Sequence, residues 1–489
     1  MSGSEVRRDR YLDLLRSIAL VRVVAYHTFS GAVFSLLFPA MGVMFALAGA
    51  LMARSLTRPA GTVLRSRARR VLVPLWVYAA TVLVLLLAQG WSPGAEGSWG
   101  QLILWFVPIG DPVLPESAGS GLVDPTWPVQ AGEILWYVRT YVWFMLLSPL
   151  LLRAFRARPW PVLLAPLALS GVLALGLLPL PSWAEAPVTD AATYGSCWVL
   201  GFAHQSGALR RIPRGVVLAA GPAVMGLGLW WAAGHLGEAG WDLNEIPLAQ
   251  ALWSLGFCAV LLRISPVWQE LPRPLRFLDG AVTLLNARAM TVYLWHNLLL
   301  VLTVLLVDLL WRSDALSTAV PGLLESPWLS FVLVWPLLGA VILAVGWAED
   351  LAAGRPPRLW PVHPARASAP AAPPTPGAPG ATGRTAAPGP ATPPATGRTA
   401  APGPLHAPGP ATPPATGRAA APGPLHAEAP ALAPGAAAVP APGPAPATVA
   451  APARPGGGAP VRSWLYPRSV REASARPAVS PRSPHSGLG

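Results

Sequence analysis

The first apolar segment of the chain, RYLDLLRSIALVRVVAYHTF at residues 10–29, contains an unusual number of ionisable side chains. Asp13, Arg16, Arg22 and His27 all lie within a stretch that is long enough to cross a bilayer. Placing one Arg or Asp at mid-depth costs roughly 2.5–3.5 kcal/mol on insertion scales. We therefore expect these residues to face the interior of a helix bundle and to have a function.

Helical geometry places three of these four residues near one line. At about 100° per residue, Arg16 and His27 lie roughly 20° apart around the helix. Asp13 lies about 60° to one side of Arg16 and can pair with it at i, i+3 spacing, whereas Arg22 lies well off the line. His27 lies roughly 16 Å beyond Arg16 along the axis, so Arg16 is predicted near the cytoplasmic end and His27 in the outer half of the membrane.

Two simpler interpretations of these residues remain open. Asp13 and Arg16 near a membrane boundary can anchor a helix by extending their charged ends to the interface. His27 can be a satisfied hydrogen-bonding group between two helices. The chemical interpretation is favoured because ionisable side chains inside membrane spans are usually functional.

The composition indicates a polytopic, all-α membrane protein. Of the 489 residues, 53% are hydrophobic and 12% charged, with a mean hydropathy of +0.47, whereas soluble domains carry about 25% charged residues. The apolar segments predict a bundle of about ten transmembrane helices. They lie at residues 11–30, 33–53, 71–89, 133–153, 160–180, 189–205, 215–234, 247–265, 289–311 and 328–348.

Loop charges predict the orientation of this bundle. The loop after the second span contains six arginines, namely Arg54, Arg58, Arg65, Arg67, Arg69 and Arg70, whereas residues 90–132 contain four acids and no arginine. The later loops continue the alternation. Because arginine is enriched in cytoplasmic loops, we predict a multi-pass protein of the cell membrane with both termini in the cytoplasm.

Two regions of different composition are predicted. Residues 1–353 form the membrane domain, and residues 354–489 are rich in Ala, Pro and Gly and contain a 20-residue tandem repeat at 388–407 and 408–427. This tail has too few large apolar side chains to fold and is predicted to be disordered and cytoplasmic. From Arg355 onward it has twelve arginines against two glutamates, which suits solvation or contact with anionic lipid better than nucleic-acid binding. The two cysteines predict neither a disulfide framework nor a metal site.

Five segments, in order, resemble the membrane acyltransferase 3 family. They are LDLLRSIALVRVVAYH (12–27), FPAMGVMFALAGALMARSL (38–56), RARRVLVPLWVY (67–78), EILWYVRTYVWFMLLSPLL (133–151) and TVYLWHNLLL (291–300). The resemblance covers residues 10–350. In the second segment the family often has an acidic residue before a Phe-Phe pair and then Ser-Gly-Phe, whereas this chain has Met44, Phe45 and Ala48-Gly49-Ala50. That departure leaves a catalytically degenerate family member open as an alternative.

The resemblance implies an integral membrane O-acyltransferase. Such an enzyme would move an acetyl or other short acyl group from acyl-CoA to a hydroxyl of a cell-envelope carbohydrate or secreted metabolite. The resemblance implies catalytic roles for His27 and Arg16, with Asp13 orienting Arg16. His27 would act as a general base or would itself carry the acyl group. Arg16 would bind an anionic part of the donor or stabilise developing negative charge.

Three further residues are predicted to bind the acyl-CoA donor. Arg67 and Arg70 form an Arg-x-x-Arg pair that resembles the family's proposed contact to CoA phosphates, and guanidinium groups suit phosphate oxygens. The same arginines also set the membrane topology, which is the simpler interpretation. His296, followed by Asn297, matches the family's late motif, and interhelical hydrogen bonding is its alternative role.

The fourth span opens with Glu133, Trp136, Tyr137 and Arg139. Trp and Tyr at a membrane boundary are typical of the interfacial belt. Arg139 lies deeper and needs a partner, for which Glu133 at i, i+6 is badly placed.

A transporter or flippase is the main alternative from another functional class, because intramembrane charges also bind anionic cargo. The sequence has no recognisable inverted repeat and no pair of Gly/Pro-broken spans at matched positions, which favours the enzyme.

Overall fold

The computed structural model describes residues 9–96, 99–115 and 127–359, and every regular element in these ranges is helical. In the first half of the described chain the α-helices are α1 Arg10–Phe29, α2 Val33–Leu37, α3 Ala40–Ser55, α4 Ala60–Ala88, α5 Pro93–Glu96, α6 Ile103–Phe106, α7 Trp127–Glu133, α8 Leu135–Ala157, α9 Pro159–Ala174 and α10 Ser182–Gln205. They continue as α11 Ala208–Arg211, α12 Arg214–Ala233, α13 Pro247–Arg263, α14 Asp279–Ala287, α15 Ala289–Trp311, α16 Asp314–Ala319, α17 Pro321–Glu325, α18 Pro327–Val345 and α19 Trp347–Ala352.

The prediction of an all-α membrane protein is confirmed for the described residues. The predicted tail from residue 360 onward, with its tandem repeat at 388–407 and 408–427, lies outside them, as do Glu116 and Asp124 of the acidic loop.

Each of the ten predicted spans is helical over most of its length, but within the described residues six helical stretches are long and apolar enough to cross a membrane. These six are Val33–Ser55, Ala60–Ala88, Trp127–Ala157, Arg214–Ala233, Ala289–Trp311 and Pro327–Val345. Helices α9 and α13 are apolar but only 16 and 17 residues long. The charged residues of α1, among them Arg16 and Arg22, reduce its apolar character. The count of about ten spans therefore stays a prediction.

The centre of the bundle and its periphery differ in burial. The apolar stretch that includes α3 is 78% buried by the rest of the protein, whereas those of α12 and α18 are only 22% buried. Large side chains such as Trp230 on α12 and Val332 on α18 are exposed on the protein surface. Because exposed apolar helix faces are stable in lipid, we assign α3 to the core and α12 and α18 to the lipid-facing surface.

The crossing of α3 and α10 depends on two glycines. A Cβ atom at Gly49 would lie 2.1 Å from the carbonyl oxygen of Trp198, and one at Gly201 would lie 2.2 Å from the carbonyl oxygen of Ala46. Small residues allow helix backbones to approach closely in membranes. The Ala48-Gly49-Ala50 sequence, which departs from the family pattern, thus lies where two helices meet at backbone distance.

The close crossing also places an aromatic cluster beneath it. The ring of Phe45 on α3 lies 4.8 Å from that of Tyr137 on α8 and 5.2 Å from that of Tyr194 on α10, measured between centroids. Helix α1 packs against α3 on one side and against α14, α15 and α18 on others. The first helix and its charged residues are therefore enclosed by the bundle.

Gly49→Ala should destabilise the protein, whereas Gly226→Ala should not. Alanine favours a helix by about 1 kcal/mol over glycine at both positions, but the new methyl group at position 49 meets a backbone carbonyl, and that at position 226 meets open space. Because a backbone atom cannot rotate away, we expect a loss of at least about 2 kcal/mol for Gly49→Ala. Thermal unfolding of the purified protein in detergent measures both variants. Equal melting temperatures for Gly49→Ala and the parent would contradict the close crossing.

Candidate active site

Helix α1 is anchored at its first turn. The carboxylate of Asp9 accepts a hydrogen bond from the backbone N–H of Tyr11 at 3.0 Å and caps the helix. Arg10 is paired with Asp279 and donates to Asp13 at 3.3 Å and to the hydroxyl of Thr283 at 3.1 Å. These contacts join the start of α1 to α14, so the side chains on the following turns are held at a constant position relative to α14.

Asn286 on α14 positions Arg16. Its side-chain N–H group donates to the backbone carbonyl of Asp13 at 2.8 Å, to that of Val282 at 2.8 Å and to the hydroxyl of Ser17 at 2.9 Å. These acceptors orient the amide so that its oxygen accepts a hydrogen bond from Nη1 of Arg16 at 3.1 Å. Asn286 was not found from the sequence, because it lies in a short helix outside the predicted spans and forms contacts about 270 residues away.

A cavity of about 270 Å³ opens beside Arg16. Its lining includes four arginines, which come from three separate parts of the chain: Arg16 on α1, Arg67 and Arg70 on α4, and Arg355 after α19. The structure thus brings three of the predicted site residues together. Arg355 was not predicted as a site residue, because the sequence places it at the start of the low-complexity tail.

Arg67 is held against the neighbouring helix. Its Nη2 donates to the carbonyl of Leu51 at 2.7 Å and to the hydroxyl of Ser55 at 2.8 Å, both at the end of α3. Arg70, one turn further along α4, is exposed and also lines the cavity. The sequence predicted that this span begins near residue 71, but helix α4 begins at Ala60. The Arg-rich stretch therefore belongs to a continuous helix.

Two carboxyl groups also line the cavity. Asp350 accepts a hydrogen bond at 2.7 Å from the buried Arg288. Glu349 accepts from the backbone N–H and the hydroxyl of Thr291, at 2.8 and 2.7 Å, and burial raises the pKa of its carboxyl to about 7. Since Glu349 gains a proton as the pH falls through this value, the cavity becomes more positive below neutral pH.

An aromatic wall leads away from the arginines. Tyr137 lines the cavity and is buried, and its ring lies 4.9 Å from that of Tyr293 on α15. The ring of Tyr293 lies 5.7 Å from that of His296 one turn further along. Tyr137 is therefore packed inside the protein, and its position at the membrane interface stays a prediction.

His27 and His296 form a pair at the end of this aromatic wall. Their ring centroids are 5.1 Å apart, and the ring planes are inclined by 58°. His27 is half-buried and His296 is fully buried. The structure thus places His296 beside His27, whereas the residues that line the arginine cavity in the described part of the chain include neither histidine.

A family model described as an acyltransferase domain, that of acyltransferase 3, matches residues 9–348. The chain belongs to the acyltransferase 3 family. The resemblance of the five segments is thereby confirmed, and the protein is a membrane acyltransferase. Comparison with curated proteins and with solved structures gave no match.

Arg22 of the acyltransferase 3 domain lies away from the line of Arg16 and His27 on α1 and has its own contacts. Arg22 is buried, donates from Nε to the carbonyl of Phe34 at 2.9 Å and lies over the ring of Tyr26 at 4.9 Å from its centroid. The hydroxyl of Tyr26 in turn donates to Asp242 at 2.7 Å. Arg22 and Tyr26 thus connect the far half of α1 to α2 and to the segment before α13.

Arg139 of the acyltransferase 3 domain has two acidic partners, and neither is Glu133. It pairs with Asp111 and, at 2.6 Å, with Asp190 on α10. These partners are 28 and 51 residues away in sequence, so local spacing gave no indication of them. In the described ranges no group of three or more His, Cys, Asp or Glu side chains lies close enough to hold a metal ion.

Asn286→Leu should reduce acyl transfer at least tenfold, because Arg16 loses the amide oxygen that orients it while a side chain of similar volume remains. Hydrogen bonds to charged groups are worth about 1.5–3 kcal/mol, which corresponds to this range. Initial rates of the purified protein measure the effect.

Ser17→Ala is the matched control. It removes one of the acceptors of the Asn286 amide and leaves the bond to Arg16, so we expect a change below about threefold. A Leu variant as active as this control would exclude the positioning role of Asn286.

Proposed function

We propose that this membrane acyltransferase is an O-acyltransferase that takes an acetyl or other short acyl group from acyl-CoA at the cytoplasmic face. The acceptor is a hydroxyl of a cell-envelope carbohydrate or of a secreted metabolite. The observation that carries the proposal is the cavity in which Arg16, Arg67, Arg70 and Arg355 converge.

The charge of the cavity suits the polyanionic end of acyl-CoA. Guanidinium groups bind phosphate oxygens through parallel N–H···O bonds and stay charged at all physiological pH values. Asp350 is already neutralised by Arg288, and Glu349 is partly protonated near neutral pH. Arg67, Arg70 and Arg355 are therefore available in excess over acids and hold the phosphates of the donor.

Arg16 lines the same cavity. Asn286 orients its guanidinium through Nη1. Arg16 binds the anionic part of the donor or stabilises negative charge that develops during transfer. Asp13 contributes by orienting this region, since its backbone carbonyl holds the Asn286 amide.

The acyl end of the donor reaches the histidine pair. His27 lies eleven residues beyond Arg16 on the same helix, roughly 16 Å along its axis, and the pantetheine arm of CoA follows the wall of Tyr137 and Tyr293 over that distance. His27 takes the proton of the attacking hydroxyl or accepts the acyl group itself. His296 belongs to the acyl end of the donor site instead of its phosphate end.

The basic loops support a cytoplasmic location for the donor site and for both termini, in a protein of the cell membrane. Residues 1–353 form the catalytic membrane domain, and Arg355, just after it, contributes to the donor cavity. The donor then enters from the cytoplasm, where acyl-CoA is made, and the acceptor approaches His27 from the opposite side.

Arg70→Gln should weaken CoA binding by at least tenfold, as expected for loss of one charge-assisted phosphate contact. Arg65→Gln is the matched control, since Arg65 is exposed on the same helix but does not line the cavity, and should change affinity less than twofold. Calorimetric titration of the purified protein with CoA measures both. Equal affinities for these variants would remove the arginine cavity as the donor site.

The same preparations distinguish an enzyme from a transporter. With acetyl-CoA and glycerol as a hydroxyl probe, an acyltransferase releases free thiol, and His27→Ala and Arg16→Ala should each abolish this release while the protein is still produced. His27→Ala should still bind CoA, because His27 lies outside the cavity. Thiol release unchanged in either variant would exclude its catalytic role, and CoA binding without any thiol release in the parent would favour transport.

The orientation is tested with single introduced cysteines. Ser66→Cys lies among the arginines of α4 and Ser182→Cys at the start of α10, both exposed, whereas the native Cys197 and Cys258 are buried and should react little. In intact cells a membrane-impermeant maleimide should label position 182 and should label position 66 only after permeabilisation. The reverse pattern would invert the topology.

A further inference from the structure

His296 is held in one tautomer by the backbone of its own helix. Its Nδ1 lies 2.5 Å from the carbonyl oxygen of Tyr293. A carbonyl oxygen only accepts hydrogen bonds, so Nδ1 must be the protonated nitrogen of the neutral ring. The other nitrogen, Nε2, then carries a lone pair and is a hydrogen-bond acceptor.

The lone pair of Nε2 has no donor among the residues that the structure describes. His296 is 0% exposed, and its Nε2 is among the buried atoms that form no hydrogen bond. Buried polar atoms in folded proteins are almost always paired, and a catalytic role is one explanation of an exception. A fully buried, oriented and unpaired acceptor therefore points to a donor that bonds to it only during the reaction.

His27 is the neighbour that can supply such a donor. Its ring lies 5.1 Å from that of His296 between centroids, a separation at which a nitrogen of His27 directed at Nε2 is within hydrogen-bond reach. The bond is absent in the resting structure. Catalytic hydrogen bonds are commonly long before substrate binds and shorten afterwards.

We propose that His296 is the proton-accepting partner of His27, and this rests on the proposed acyl transfer. When His27 takes the proton of the acceptor hydroxyl, it becomes an imidazolium with an N–H on both ring nitrogens. The N–H on the other nitrogen, which the neutral ring already has, becomes a stronger donor in the charged ring and bonds to Nε2 of His296, so the positive charge is shared by the two rings. A base oriented by a further group is the arrangement that activates nucleophiles in other acyl-transfer enzymes.

The proton balance closes within the pair. As the hydroxyl oxygen bonds to the acyl carbon, the carbon–sulfur bond breaks and its electron pair leaves on sulfur. The thiolate then takes the proton from His27, which gives the ester and free CoA thiol and restores both neutral rings. If His27 carries the acyl group instead, its acylated ring also has a cationic N–H, and His296 accepts from it in the same way.

Two substitutions separate this role from a structural one. In His296→Asn the new amide N–H lies near the position of Nδ1, so the bond to the Tyr293 carbonyl is retained and the acceptor for His27 is lost. In His296→Gln the new amide oxygen lies near the position of Nε2, so the acceptor is retained and the backbone bond is lost.

The experiment measures kcat and KM for acetyl-CoA, with glycerol as the hydroxyl probe, together with thermal stability. We expect His296→Asn to lower kcat about 100-fold, as for loss of acid–base assistance, with KM and melting temperature nearly unchanged. His296→Gln should retain more activity than His296→Asn. His204→Asn is the matched control, because His204 also has a buried unpaired Nδ1 but lies on α10, and it should stay within twofold of the parent.

The opposite ranking, with His296→Asn more active than His296→Gln, would overturn the inference and make the backbone bond the only role of His296. A kcat of His296→Asn above half of the parent value, or parallel losses of CoA binding and stability, would do the same. If the parent protein itself releases no thiol from acetyl-CoA, the proposed function fails, which is a separate result from failure of the histidine partnership.

Discussion

Buried guanidinium groups set the main constraint on this bundle. In an apolar interior a guanidinium group needs oxygen partners, because an unpaired buried charge is strongly destabilising. Arg22, Arg139 and Arg288 are all less than 10% exposed. Arg22 donates to a backbone carbonyl of α2, and Arg288 donates to Asp350 of α19. Arg139 pairs with one acid in the loop before α7 and another on α10. Each arginine thus joins a helix to a segment distant in sequence.

Arg16 differs from these three arginines in its surroundings. It is only partly buried, its Nη1 is bonded to the neutral oxygen of Asn286, and it lines the cavity. The three buried arginines lie away from the cavity lining and join helices to distant segments, whereas Arg16 is oriented at the cavity wall by an amide.

The close approach of the α3 and α10 backbones also positions side chains of the site. Gly49 and Gly201 bring the two helices together, and this places Phe45 and Tyr194 against Tyr137. The hydroxyl-bearing Tyr137 is then fixed between the cavity and α15. A larger residue at position 49 would shift the aromatic wall as well as the helices, so the small residues of this segment are part of the site's geometry.

Features that depend on local sequence were predictable, and features that depend on distant contacts were not. Apolar length predicted helices at all ten expected places, and the period of the helix placed Arg16 and His27 along α1 as the structure has them, with Arg16 at the cavity and His27 beyond it. Apolar length alone does not define the number of membrane crossings, because α1 contains several charged residues and α9 is only 16 residues long. Asn286 and the acids that pair with Arg139 are unpredictable by spacing, since chain folding alone brings them near.

The separation between the arginine cavity and the histidine pair bears on how an acyl group is protected from water. The cavity has four arginines in its lining and lies beside exposed residues such as Arg70, whereas His296 is fully buried and lies beyond the rings of Tyr137 and Tyr293. In the proposed reaction the thioester becomes activated only at the histidines, on the buried side of these rings, where competing hydrolysis is slower. The phosphates meanwhile stay in contact with the arginines at the hydrated end. Helix α1 bears both Arg16 and His27, so in this proposal their spacing along the helix sets the distance between donor binding and acyl transfer.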